Sequence, residues 1–152
     1  MHDTPHHPPQ QARQDWMRLL ATAPLHLLEA WGGEQREGFT WLRRPETGLV
    51  MVRGRIGASG NRFNVGEMTL TRCTLRLAGG QHGVAYVQGR SARKAELAAL
   101  ADALLQDVSQ HPAVDRDLLQ PLRARRAAES AARQQATRRT RVDFLTIARG
   151  DE

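Results

Sequence analysis

Arginine is the residue type through which this sequence could do chemistry. The stretch MVRGRIGASGNRFNVGEMTLTRC, Met51 to Cys73, carries Arg53, Arg55 and Arg72 among four glycines and a single acid, Glu67; Arg76 and Arg90 follow closely. Guanidinium groups hold carboxylates and phosphates through paired, directed donors. These five arginines are therefore the candidates for contact with a substrate anion or with a partner's acids. A glycine-rich phosphate loop is the first reading to test, and it fails on context. A Walker loop needs Lys and Ser or Thr after its last glycine and leads into a helix, whereas Gly60 is followed by Asn61, Arg62 and strand-forming residues. Gly54, Gly57 and Gly60 also miss the dinucleotide-binding spacing. They read instead as positive-φ positions in a wide turn.

Other reactive groupings are scarce. The histidines at 2, 6, 7, 26, 82 and 111 show no metal-ligand spacing such as HExxH, so no metal site is expected. No GxSxG elbow is present, and Cys73 falls in a predicted buried strand where a thiol is inert. Glu67 and Glu96 can pair with arginine as readily as serve as a base. No catalytic residue is assigned, and no cofactor is expected in this chain.

The elements that must position the arginines follow from periodicity and turn chemistry. From Gln11, the spacing of Trp16, Leu19, Leu20 and Ala23 predicts a helix; Pro24 opens a shorter one through Leu27, Leu28 and Trp31, ended by Gly32 and Gly33. Four β-rich runs come next: Phe39 to Arg43, Leu49 to Ile56, Glu67 to Leu77 and Gly83 to Gln88. With hairpin signals at Pro45-Glu46-Thr47-Gly48 and Ala78-Gly79-Gly80-Gln81 they read as an antiparallel meander. Ser91 can cap a helix bearing Leu97, Leu100, Ala101, Leu104 and Val108. After His111-Pro112 a second helix, with Pro121 tolerated only near its start, carries an Arg-rich segment to about Thr140. A terminal strand is expected over Val142, Phe144, Leu145 and Ile147. The fold class is α+β.

Strands that pair symmetrically about residues 61 and 62 would put Arg53 and Arg55 on one face with Met68, Leu70, Arg72 and Arg76. Val50 and Val52 would then lie with Thr71 and Cys73 on the core side. An outer face mixing Met with Arg suits a protein interface better than open solvent.

A chain of 152 residues supports one modest core with appendages. The expected division is a disordered tail at 1–10, a single α+β domain at 11–110, and a C-terminal helix and strand at 111–152 exchanged in a homodimer. A lone cysteine excludes an internal disulfide, no run is long enough to span a membrane, and MHDTPHHPPQQ lacks the plan of a signal peptide. The expectation is a cytoplasmic protein with no membrane partner. Seven arginines between Arg123 and Arg141 face the single Glu129, a local excess equal to the whole formal charge of +6. Such a block can hold nucleic acid or form the partner-facing side of a helix. Because Lys94 is the only lysine, a codon bias toward arginine weakens the nucleic-acid reading.

The segments PETGLVMVRGRIGASGNRFNVGEMTLTRCTLRL, GVAYVQGRSARKAELAALADALLQ and TRVDFLTIARGD, with the entry RQDWMRLLA, closely resemble the PhnG family of the bacterial carbon-phosphorus lyase machinery. The resemblance runs from about Arg13 to Asp151, with several motifs in the right order. It implies a subunit acting with PhnH, PhnI and PhnL to join methylphosphonate to the ribose triphosphate of ATP, with loss of adenine. It also implies a core assembly of PhnG, PhnH, PhnI and PhnJ in which PhnI carries the nucleosidase-type chemistry and ATP is substrate of the complex. Where the family reads GRDxxHAE, this chain has Ser91 and Lys94 in place of the Asp and the His.

Two readings follow. In one, the chain is a structural and activating subunit whose arginines meet partner acids. In the other, Arg53, Arg55, Arg72 or Arg90 reaches a triphosphate or phosphonate across a subunit boundary.

Overall fold

The computed structural model describes residues 10–33, 38–57 and 60–139. The expected terminal strand and all but the last residue of the expected N-terminal tail lie outside these residues. Helix α1 (Gln10–Thr22) buries Trp16, Leu19 and Leu20, a stripe at helical spacing. Pro24 then holds an extended conformation, with φ −65° and ψ 140°, and so breaks α1 from α2 (Leu25–Gly32). The predicted helical hairpin is present.

Among the described residues three strands, not four, form one antiparallel sheet in the order β1 (Phe39–Arg55), β2 (Arg62–Leu77), β3 (His82–Gln88). The predicted hairpin at Pro45–Gly48 does not turn. Both β-rich runs flanking it belong to β1, and the pairing register slips between Trp41 and Arg43 and again between Arg43 and Glu46. Pro45 has no N–H to give a ladder, but β1 is an edge strand, where a bulge leaves Arg44 and Pro45 out of the register and pairing resumes at Glu46. The second predicted hairpin is real: Gly80 adopts φ 91°, and the Leu77 N–H donates to the Gln81 carbonyl at 3.0 Å.

The register between β1 and β2 also differs from the symmetric one. Val50 pairs with Met68 and Val52 with Gly66, so these valines lie on the outward face with Met68 and not beside Thr71 and Cys73. Gly54 sits within β1 opposite Phe63, and among the three glycines of the presumed wide turn only Gly57 has positive φ, 65°. A bulge at Val52/Arg53 lets the long hairpin twist.

Along β2 the alternation is clean from Leu70 onward. Thr71, Cys73, Leu75 and Leu77 point inward with Ala85 and Val87 of β3, and all are buried. They pack on α3 (Ala92–Leu105), in which Ala95 and every residue from Leu97 to Leu105 are buried. A helix buried on all sides must be central, and α3 touches the sheet on one side and α1 and α2 on the other. Alanine and glycine permit the close approach: a Cβ on Gly83 would lie 1.9 Å from the carbonyl oxygen of Ala99. Ser91 caps α3 as predicted, accepting from the Lys94 N–H at 3.2 Å. Val108 falls beyond the helix end and is exposed, because the helix stops at Leu105.

From His111 the chain is helical to Arg139, as α4 (His111–Val114), a π-helical turn (Asp115–Leu119) and α5 (Gln120–Arg139). Pro121 sits well inside this run. The π turn, in which the Gln120 N–H donates to the Asp115 carbonyl, widens the helix just where a proline ring would crowd the preceding turn. Leu118, Leu119 and Leu122 seal the core; beyond Leu122 every described residue of α5 is exposed.

Candidate functional site

The outward face of the sheet gathers residues from all three strands. Arg72 of β2 pairs with Glu46 of β1 on one side and Tyr86 of β3 on the other. Its Nε donates to Glu46 Oε1 at 2.7 Å, and Arg43 Nη1 donates to the same oxygen at 2.6 Å. The bulges that defeat the predicted turn are what bring Arg43 and Glu46, three residues apart, to one ion cluster. Hydrogen bonds from Arg43 and then Arg72 hold the Glu46 carboxyl below its ordinary range, and Glu46 in turn raises the Arg72 guanidinium. All three side chains are about half exposed, so solvent screens the cluster and its effect is to orient Arg72.

Beside this cluster lies a shallow depression of about 380 Å³ lined by Gly48, Val50, Leu70, Arg72 and Tyr86 among others. Its chemistry is a guanidinium and a phenol set against aliphatic side chains. Such a surface can receive a carboxylate or phosphate carried on an apolar body. It offers no paired acid and base.

The five candidate arginines do not converge. Arg76 shares the outward face but pairs with Thr40 and His82, ~13 Å along the strand from Arg72 at ~3.3 Å per residue. Arg53 pairs with Asn64 and Arg55 with Arg62, beyond the bulge and ~26 to ~33 Å along β2 from Arg72 at ~3.3 Å per residue. Arg90 follows Gly89, whose φ of 90° turns the chain from β3 toward α3. The expectation that Arg53 and Arg55 sit with Arg72 and Arg76 is corrected by the register.

A different arginine proves central. Arg13 of α1 donates to both oxygens of Asp102 on α3, at 2.8 and 3.2 Å. The same carboxylate accepts from the Trp16 indole at 2.8 Å and from the Val84 N–H at 3.0 Å. The His82 carbonyl accepts from Arg13 and Gln106. Together these side chains occupy backbone groups of edge strand β3 that a fourth strand would use. The signal was legible: Asp102 is the lone acid in the apolar run LAALADALL, and a charge in a buried stripe requires a partner. Arg13 and Trp16, one turn apart, supply it.

Cys73 is buried, and desolvation, followed by the charge of Glu96, pushes its thiol up to about 12. Lys94, half-buried, is held below its ordinary value by desolvation. Among the described residues no group of three or more His, Cys, Asp or Glu side chains comes together to hold a metal ion, and no helix is long and apolar enough to cross a membrane.

Residues 11–150 match the family described as phosphonate metabolism protein PhnG. The chain belongs to the PhnG family. A relative from Rhizobium meliloti (strain 1021), named α-D-ribose 1-methylphosphonate 5-triphosphate synthase subunit PhnG, is 42% identical over 142 residues, covering 92% of this chain and 90% of the relative. The family's place in phosphonate metabolism agrees with the resemblance carried by the sequence motifs. The cap also gives the Ser91 departure a physical reading: Asp and Ser are near-equal N-caps, so Ser91 preserves the helix start that an Asp would provide.

Proposed function

We propose that this chain is a non-catalytic, structural and activating subunit of the assembly that transfers the ribose triphosphate of ATP to methylphosphonate with release of adenine. The relative named as a synthase subunit, similar over nine-tenths of both chains, is the observation that carries it. In this reading the partners are PhnH-, PhnI-, PhnJ- and PhnL-like subunits, ATP is a substrate of the complex, and the setting is the cytoplasm. Arg72 and Arg76 meet partner acids. The mixed apolar and guanidinium character of the sheet face supports an interface. A homodimer is part of the proposal. The exposed length of α5 supports it, since a helix of 20 residues reaches about 30 Å and is exposed at every position beyond Leu122.

A second reading has an observation of its own. The depression beside Arg72 and Tyr86 is open, and a phosphoryl group there could displace Glu46 from Arg72. Co-expression with the proteins encoded beside it separates the two. The purified chain alone should release no adenine from ATP above a mock preparation, and omitting it should abolish release by the assembly. Arg72→Glu and Arg76→Glu should weaken assembly while leaving the fold intact. Normal assembly with lost activity would transfer the role to substrate binding, and adenine release by the isolated chain would overturn the non-catalytic reading.

A further inference from the structure

The pairing of β2 with β3 ends at Leu70 and Gln88, but β1 and β2 continue together through Arg55 and Arg62. Seven further residue pairs project as a two-stranded ribbon of ~23 Å at ~3.3 Å per residue. A two-stranded hairpin standing alone is marginally stable in water. This one is also apolar where it should be polar. Leu49, Met51, Phe63 and Val65 are 61%, 52%, 44% and 61% exposed, and Ile56, just beyond the strand, is 77% exposed. Leu49 and Met51 alternate with Val50, itself 36% exposed, so both faces of the ribbon present apolar side chains. Among the described residues no element covers either face as α3 covers the base of the sheet.

The charges on the ribbon say what covers it. Arg53, Arg55 and Arg62 stand at its far end, Arg55 directly opposite Arg62, and Glu67 is the one acid along its described length. Each ribbon carries three arginines against one acid, so a second copy of it offers too few carboxylates to meet them, whereas an acid-rich surface on a different protein does. An added strand is also excluded from the base of β3, where Arg13 and Asp102 engage the His82 carbonyl and the Val84 N–H.

We propose that the β1–β2 ribbon is a docking arm that inserts into an apolar cleft rimmed by carboxylates on a protein other than this chain. The inference rests on the reading of this chain as a subunit. Both apolar faces are buried by the cleft walls, and the three guanidinium groups are met by the acidic rim.

The test uses the full chain co-expressed with the proteins encoded beside it. Backbone amides of residues 48–55 and 62–69 should exchange rapidly with deuterium in the free chain and slow at least about tenfold in the complex. The triple variant Arg53→Glu, Arg55→Glu, Arg62→Glu should fold like the parent by circular dichroism yet assemble at least about a hundredfold more weakly. A second variant, Met51→Ser with Val65→Ser, removes apolar surface without altering charge and should also weaken assembly. If the parent assembles and both variants assemble with unchanged affinity, the arm is wrong and the subunit reading stands. If the parent assembles with none of these proteins, both fail. A parent that self-associates through the ribbon, and loses this with the triple variant, would replace the foreign cleft by a second copy and overturn the proposal.

Discussion

Replacing Asp102 by Ala should be among the most damaging single changes in the chain, and its cost can be worked from the bonds it breaks. The carboxylate is fully buried and accepts from Arg13, the Trp16 indole and the Val84 N–H. Trp16 is 4% exposed, so its indole N–H is left without a partner, at about 1–3 kcal/mol; an orphaned Val84 N–H adds a similar amount. Arg13 fares better. Its side chain is 28% exposed and keeps the His82 carbonyl, so water recovers part of what it loses. The sum is about 3–5 kcal/mol, in the range for breaking a buried ion pair from one side. Small domains have only about 5–15 kcal/mol in total. With a urea dependence of about 2 kcal/mol per molar, the unfolding midpoint should fall by about 2 M. Asp102→Asn keeps shape and one acceptor and should fall by less. A midpoint for Asp102→Ala within about 0.3 M of the parent would refute the view that this carboxylate ties α1 and α3 to the edge of the sheet.

Gly83→Ala should destabilise by about 3 kcal/mol or more in the same titration, because its Cβ would meet the Ala99 backbone oxygen at 1.9 Å, and neither backbone can yield without moving α3 from the sheet. Cys73 should resist a disulfide probe at pH 8 in the folded chain and react fully in urea. Its folded pKa of about 12 lies above the ordinary 9.0, so the stability it contributes is complete below pH 9 and is lost as pH rises from 9 toward 12; a melting temperature that rises over that window would contradict the assignment. Truncation after Arg139 should abolish the proposed dimer by light scattering, and a truncated chain that stays dimeric would remove the exchange of tails.

The parts of the fold that were legible in the sequence are those fixed locally. Helices α1, α2 and α3 declare themselves through apolar spacing, Pro24 and the Ser91 cap, because each signal acts within a turn of the residue that carries it. What was not legible depends on pairing across distance. Pro45 looks like a turn because proline cannot serve a central strand, yet on an edge strand it needs only a bulge, and which strand is an edge is a property of the whole sheet. The same limit governed the candidate site. Symmetric pairing matches Val50 with Cys73; the observed pairing matches it with Met68, an odd displacement that exchanges the two faces of β1.

That exchange bears on function. Residues placed in the core by the symmetric register, Val50 and Val52, become part of an outward apolar strip, while Arg53 and Arg55 leave the neighbourhood of Arg72 for the far end of the ribbon. One arginine face therefore resolves into two surfaces. At the base of the sheet, Arg72 is already engaged by Glu46 and set beside Tyr86, which suits a contact that reads orientation. On the ribbon, the arginines lie among apolar side chains that no described element covers, which suits a contact that carries burial. A subunit with both is held at two places, so charge reversal on the ribbon and at Arg72 should each weaken assembly, the ribbon variant by more because the ribbon carries the larger exposed apolar surface.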